Sequence, residues 1–278
     1  MNLEELMERL HLPWEARRQV LDEQIGKKEY GVWKDKFYQD MEQFIKAWEE
    51  MDGGFEWALE FYLKLAADTY DEYQKKGYSD KVFDQTFYDI TIWCRECYRK
   101  HGVYGVDELL WLGQSVKMEL FRLGRLQFEP IQVEKDMKGD GREILAGTRA
   151  LNVHIPAGEP LVYEECQKSF EQAVEFFGEK YRVFVCESWL LSPHLKEILP
   201  KSSNILRFQK LFWVTEVGYA YPQAEQRIFG EVLKDKRQYK EDTTLRRKAK
   251  EYVLSGRDLG IGVGFRCLTE GVLSLGGE

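Results

Sequence analysis

The sequence predicts an α+β (mixed α/β) protein, with a helical N-terminal bundle over 1–116 packed on a domain with a central mixed sheet over 117–278. Three observations carry this reading. Apolar residues recur at helical spacing through roughly the first 115 positions. Near Gly113–Glu119 the period falls toward two, and β-branched and aromatic runs begin. Beyond that point the order is strand, hairpin turn, strand, loop, helix, strand, helix. A length of 278 residues also suits two domains at about 150 residues each.

The first half justifies its helices one by one. Asn2 is placed to cap the first helix, with Glu5 three residues on, and Leu3, Leu6, Met7 and Leu10 then share a face. Pro13 restarts the chain for a second short helix. Phe37, Met41, Phe44 and Trp48 form one stripe that Gly53-Gly54 ends. Phe55 to Tyr73 is a third long helical stretch. Ser79 is the expected cap of the next, striped by Phe83, Phe87, Ile90 and Cys94. A short helix around Asp107–Trp111 closes the bundle.

The second half opens with the alternating segment 121–129. Lys138-Gly139-Asp140-Gly141 then gives a hairpin, because Asp-Gly suits turns with positive φ. Segment 150–155 is a strand broken by PAGEP, and an amphipathic helix follows over 161–177. A strand is expected over Arg182–Leu190. A helix begins near Ser203, with Ser202 or Ser203 as cap. WVTEVGYAY is a strand candidate, and a charged helix spans about 242–254, capped by Asp242 or Thr243. LGIGVGFRCL is the expected last strand.

Bulk properties exclude some functions. A net charge of -8 opposes broad nucleic-acid binding, which needs a basic surface. The local cluster Arg246, Arg247, Lys248 and Lys250 is expected to be the solvated face of a helix. No apolar run approaches the roughly 20 residues of a membrane span. The first residues, MNLEELMERL, are acidic rather than a secretory signal. Five cysteines, an odd number spread thinly, point to a reducing cytoplasm.

Candidate chemistry concentrates after residue 150. Cys94 and Cys97 share a helix face and read as packing, and no partner set follows at zinc spacing. Cys186 reads as a buried strand residue. GIGVGF follows a helix rather than opening one, so it reads as a strand closely packed on another backbone rather than a nucleotide loop. Alternation puts Asn152 and His154 on one strand face, and His154 is either a structural histidine or a proton acceptor. Glu187 interrupts an apolar strand, as a satisfied polar residue or as a site carboxylate. Trp189 shares that face by alternation.

FRLGRLQFEP, LNVHIPAGEPL, CESWLLSPHL and SNILRFQ together resemble a two-domain bacterial acyltransferase family. In that family an N-acyltransferase N-terminal helical domain precedes a GNAT-like C-terminal domain. The resemblance spans the chain, with its specific motifs in about 120–210. It implies a GNAT-like fold in which the strand ending at His154 splays from a parallel neighbour at 182–190. Acetyl-CoA or another acyl-CoA would sit in that wedge as co-substrate, with no metal. Ile155, Ala157, Gly158, Glu159, Leu161 and Asn204 would contact it, with the pyrophosphate at the loop and helix start. Glu187 or His154 would deprotonate an amine on a small molecule or peptide, and Ser188 or His194 would stand in for the usual tyrosine acid. The loop departs from the common Q/R-x-x-G-x-G/A pattern. One glycine, Gly158, remains; Pro160 removes a donor, and Glu159 adds negative charge. The alternative is a catalytically silent GNAT-like binding module.

Overall fold

The structure, a computed structural model, describes residues 1–22, 24–139 and 141–268. It contains two compact units: Met1–Leu123 with Pro156–Gly158, and Gly124–Ile155 with the chain from Glu159 onward. The class is mixed α+β, as the sequence predicts.

The first unit holds α1 (Leu3–Arg9), α2 (Trp14–Asp22), α3 (Lys27–Gln39), α4 (Met41–Glu49), α5 (Gly54–Lys75), α6 (Asp80–His101), α7 (Leu109–Val116) and β1 (Phe121–Leu123). The expected caps form: Asn2 accepts from the Glu5 amide at 2.8 Å, and Ser79 accepts from Val82. One expected helix is two. Asp40 adopts extended geometry and caps α4 through the Gln43 amide, so Phe37 belongs to α3 and Phe44 to α4. The two rings still meet edge-to-face at 5.5 Å, joined by Phe61 and Tyr62. The last helix runs further than expected, to Val116. Gly113 lies within it, where a Cβ would come 2.7 Å from the Met41 methyl. Cys94 and Cys97 are fully buried in the core, and burial pushes the Cys97 thiol up to about 11.

The second unit runs β2 (Leu126–Gln132), β3 (Met137–Gly139), β4 (Arg142–Ile144), β5 (Arg149–His154), α8 (Tyr163–Phe177), β6 (Val183–Ser188), α9 (Leu195–Ile198), α10 (Asn204–Gln209), β7 (Trp213–Gly218), α11 (Gln223–Phe229), α12 (Thr244–Leu254) and β8 (Ile261–Cys267). Its sheet has the order β2-β5-β6-β8-β7. Only β5 and β6 are parallel; the other neighbouring pairs are antiparallel. β3 and β4 form the expected hairpin as a separate ribbon. Asp140, at its turn, lies outside the described residues.

Alternation gives this sheet two unlike faces. Phe128 and Phe184 point to α8, where Phe170 packs on both at 6.0 and 4.8 Å. On the other face Phe265, Ala150 and Val133 pack with Met137 and Ile144 of the hairpin. The last strand among the described residues, β8, is internal, between β6 and β7, which explains its glycines. A Cβ on Gly262 would strike the Leu191 backbone, and one on Gly264 would reach the Trp213 carbonyl oxygen at 2.9 Å. Close backbone packing, as the small residues predict, is what they provide.

Two further expectations resolve simply. Thr243 rather than Asp242 caps α12, by accepting from the Arg246 amide. Three of the four cations of the basic cluster there are paired: Arg246 with Asp242, Lys248 with Glu251 and Lys250 with Glu241, while Arg247 is exposed. Among the described residues no helix is long and apolar enough to cross a membrane.

Candidate functional site

β5 and β6 run parallel but are in register only at Leu151–Phe184 and Asn152–Val185. Val153 and His154, and Cys186 to Ser188, continue beyond that pairing. Two parallel strands that stop pairing before their carboxyl ends leave a wedge, the place where ligands collect in open sheets. β7 runs in the same direction, since both it and β6 are antiparallel to β8. The carboxyl ends of β5, β6 and β7 therefore share one end of the sheet.

His154 ends β5 on the hairpin face and is about a quarter exposed. Its Nε2 lies 3.1 Å from Glu129 Oε2 on β2. Asn152 Nδ2 donates to the same oxygen at 3.2 Å. Strand register makes this cluster: Glu129 opposes Asn152 and Gln127 opposes His154, so Glu129 is the diagonal neighbour of the ring. With its proton on Nε2 the ring donates to Glu129; with the proton on Nδ1 its Nε2 accepts from Asn152 Nδ2 at 3.1 Å. That hydrogen bond from His154 is the main reason the Glu129 carboxyl lies below the usual carboxylate range. Glu129 was not singled out by the sequence. Its signal was a lone acid on the alternating strand, and only the β2–β5 register turns that into a partner for His154.

Glu187 lies near the end of β6 on the same face as His154, in register with Val263 of β8, and it is exposed. The acid that His154 contacts is Glu129 rather than Glu187. Ser188, on the opposite face, is buried. Its hydroxyl accepts from the Leu190 amide and caps a 3-10 turn over Trp189–Leu191. The strand thus ends before Trp189, so alternation does not reach it. Trp189 instead packs against a buried cluster that includes Leu195, Leu206 and Ile228. His194 lies in the loop after that turn, with Nε2 2.9 Å from the Tyr219 hydroxyl and Nδ1 3.5 Å from Glu197. Cys186 is wholly buried, and burial pushes its thiol up.

The loop after β5 differs from the expected helix start. α8 begins at Tyr163, two residues later than expected, with Val162 as an uncapped N-cap. Ile155 is half-buried, Ala157, Gly158 and Glu159 are exposed, and Leu161 is buried. Gly158 has φ +95° and nothing within 4 Å of a Cβ position. Residues 156–158 group with the first unit. The remaining loop is held by a residue the sequence did not flag. Buried Arg125 donates to the Glu159 and Pro160 carbonyl oxygens at 2.8 and 3.0 Å, and its own amide donates to Ser169 on α8. The first amides of α8 are uncommitted to helix bonds and carry the positive end of the helix dipole. Arg207 of α10 lies over the Tyr163 ring and pairs with Glu164, so one cation attends this N-terminus. Asn204, the first residue of α10, is exposed. Among the described residues no three His, Cys, Asp or Glu are grouped to hold a metal ion.

Comparison with known proteins places these features. Residues 120–266 match the family GNAT-like C-terminal domain, and residues 1–118 match the family N-acyltransferase N-terminal domain. No curated protein sequence matches the chain. Among solved structures, an acyltransferase in complex with decanoyl-CoA is similar at a TM-score of 0.77, 19% identity, 96% of this chain and 87% of that one. An acyltransferase in complex with decanoyl-CoA and teicoplanin is similar at 0.75, 20%, 96% and 87%. A mutant acyltransferase in complex with octanoyl-CoA is similar at 0.76, 19%, 96% and 87%. At these identities the likeness is one of fold.

Proposed function

This chain belongs to the GNAT-like C-terminal domain family, joined to an N-acyltransferase N-terminal domain, and we propose that it transfers an acyl group from an acyl-CoA to an amine on a small-molecule acceptor. The observation that carries this is the Glu129–Asn152–His154 cluster at the carboxyl end of β5, where the parallel pair parts. Glu129 fixes the ring, and the basic nitrogen of His154 takes a proton from the attacking ammonium. The free amine then attacks the thioester carbonyl. The C–N bond forms, the surplus proton on that nitrogen passes to the departing sulfur as the C–S bond breaks, and CoA leaves as the thiol. Binding the two substrates side by side supplies a large part of the rate, and the proton acceptor adds about 10²–10⁴-fold. Glu187, exposed beside the wedge, contributes negative charge near the incoming cation.

The α8 N-terminus would offer a pyrophosphate the positive end of its helix dipole together with Arg207. The acyl-CoA and small-molecule assignments draw support from neighbours solved with decanoyl-CoA, octanoyl-CoA and teicoplanin. The acidic residues Glu159, Glu164 and Glu165 around the same helix start favour the second reading, a catalytically silent binding module.

Calorimetric titration with acetyl-CoA and decanoyl-CoA, followed by thiol release against a panel of amines, tests this. Binding plus His154-dependent thiol release is expected. No binding of either thioester overturns the acyltransferase reading. Binding without transfer to any amine favours the silent module.

A further inference from the structure

A groove of about 810 Å³ runs along β7, and no residue of β5 or β6 lines it. Its volume falls in the range of about 300–1,000 Å³ typical of small-molecule pockets. β7 ends the sheet order, so one edge of the strand opens into the groove. Leu191, Leu206, Phe212 and Val217 give it an apolar lining. Leu206 and Gln209 of α10 and Lys210 just after it line the groove, whereas Arg207 of the same helix faces Tyr163 and Glu164 of α8. The groove and the α8 N-terminus therefore lie on different flanks of α10.

Its charges are one-sided. Lys196, Lys201 and Lys210 line it, are exposed, and among the described residues make no ion pair. The one lining carboxylate, Glu216, is already paired with Lys135 at 2.6 Å. Three unmatched cations over an apolar floor complement a ligand with a hydrocarbon body and an anionic head.

We propose that this groove binds a free single-chain fatty carboxylate, its chain along Leu206 and Phe212 and its head among Lys196, Lys201 and Lys210. A concave site of this volume suits one chain rather than a bilayer surface. The inference is independent of acyl transfer at His154.

Calorimetry on the full chain with dodecanoate below its micelle concentration tests it. Dodecanoate should bind at least tenfold more tightly than dodecyltrimethylammonium, and more tightly than octanoate. Binding should weaken as salt rises, because exposed charges are screened beyond about 10 Å at 0.1 M. The K196Q/K201Q/K210Q variant changes only exposed side chains, and its fold is checked by circular dichroism. It should bind dodecanoate at least tenfold more weakly while its affinity for decanoyl-CoA stays unchanged. No dodecanoate binding, equal binding of the cationic detergent, or an unaffected triple variant overturns the proposal. So does binding confined to anionic phospholipid vesicles or to an acidic peptide.

Discussion

The two faces of the sheet in the second unit are built from the same strands and serve opposite ends. On the α8 face, β2, β5 and β6 present Phe128, Leu151 and Phe184, all fully buried. On the hairpin face the same three strands present Glu129, Asn152, His154 and Glu187 toward their open ends. A period of two lets one strand supply core and site together, and a slip of one residue would exchange them. Register is thus the property that positions His154 against Glu129, and the aromatic face is what holds the register.

The largest effect expected from this difference is on the polar face. His154→Gln should lower acyl transfer by about 10²–10⁴-fold, with decanoyl-CoA affinity within twofold, since the ring moves a proton rather than holding the cofactor. Glu187→Gln should lower it far less, by severalfold, because Glu187 is exposed and does not contact the ring. Equal losses in the two variants would move the base to Glu187; full rates in both and in the double variant would remove acid–base help altogether. On the apolar face, Phe170→Ala should instead cost about 3–5 kcal/mol of unfolding free energy by opening a cavity between Phe128 and Phe184. The folded fraction should keep its affinity for decanoyl-CoA. A Phe170→Ala protein of unchanged stability would mean that this face does not hold the register.

A smaller effect tests the strand that braces both faces. Gly262→Ala pushes a methyl into the Leu191 backbone, which cannot rotate away. About 1–3 kcal/mol of destabilisation is expected from such overpacking, read as a lower denaturant midpoint. Gly158→Ala makes the control, since it has open space, although its positive φ still strains any side chain.

Much of this architecture is legible in the chain because its signals are local. Asn2, Ser79 and Ser203 cap where short-range hydrogen bonding demands. GIGVGF is small because Leu191 and Trp213 press on it, and the sequence shows the smallness though not the neighbours. His154 is legible as a polar strand end. Its partner is not, because Glu129 and His154 are 25 positions apart and only pairing joins them. Arg125 is hidden for the same reason: the carbonyls it binds lie 34 and 35 positions away. The break between α3 and α4 is hidden because the apolar stripe runs on across it, and only the Asp40 side chain turning back to the Gln43 amide starts the next helix.

The smallest expected effect is a change in how stability depends on pH, and it sharpens the role of Glu129. The hydrogen bond from His154 holds the folded carboxyl below the usual carboxylate range. In the unfolded chain it should titrate at about 4.3. Between those two values the unfolded state binds more protons, so stability rises with pH. The contribution is complete above the unfolded pKa and is lost as pH falls through the folded one. Wild type should therefore exceed Glu129→Gln in denaturant midpoint at pH 6, and the gap should close as pH falls below about 4.3 and through the depressed folded value. Replacing His154 by Gln removes the ring that depresses the carboxyl, so in that background the gap should be smaller at pH 6 and should vary less with pH. A gap between wild type and Glu129→Gln that does not change with pH would show that packing, rather than the carboxylate's bond to His154, explains the difference. The polar face would then be ordered by its strands alone.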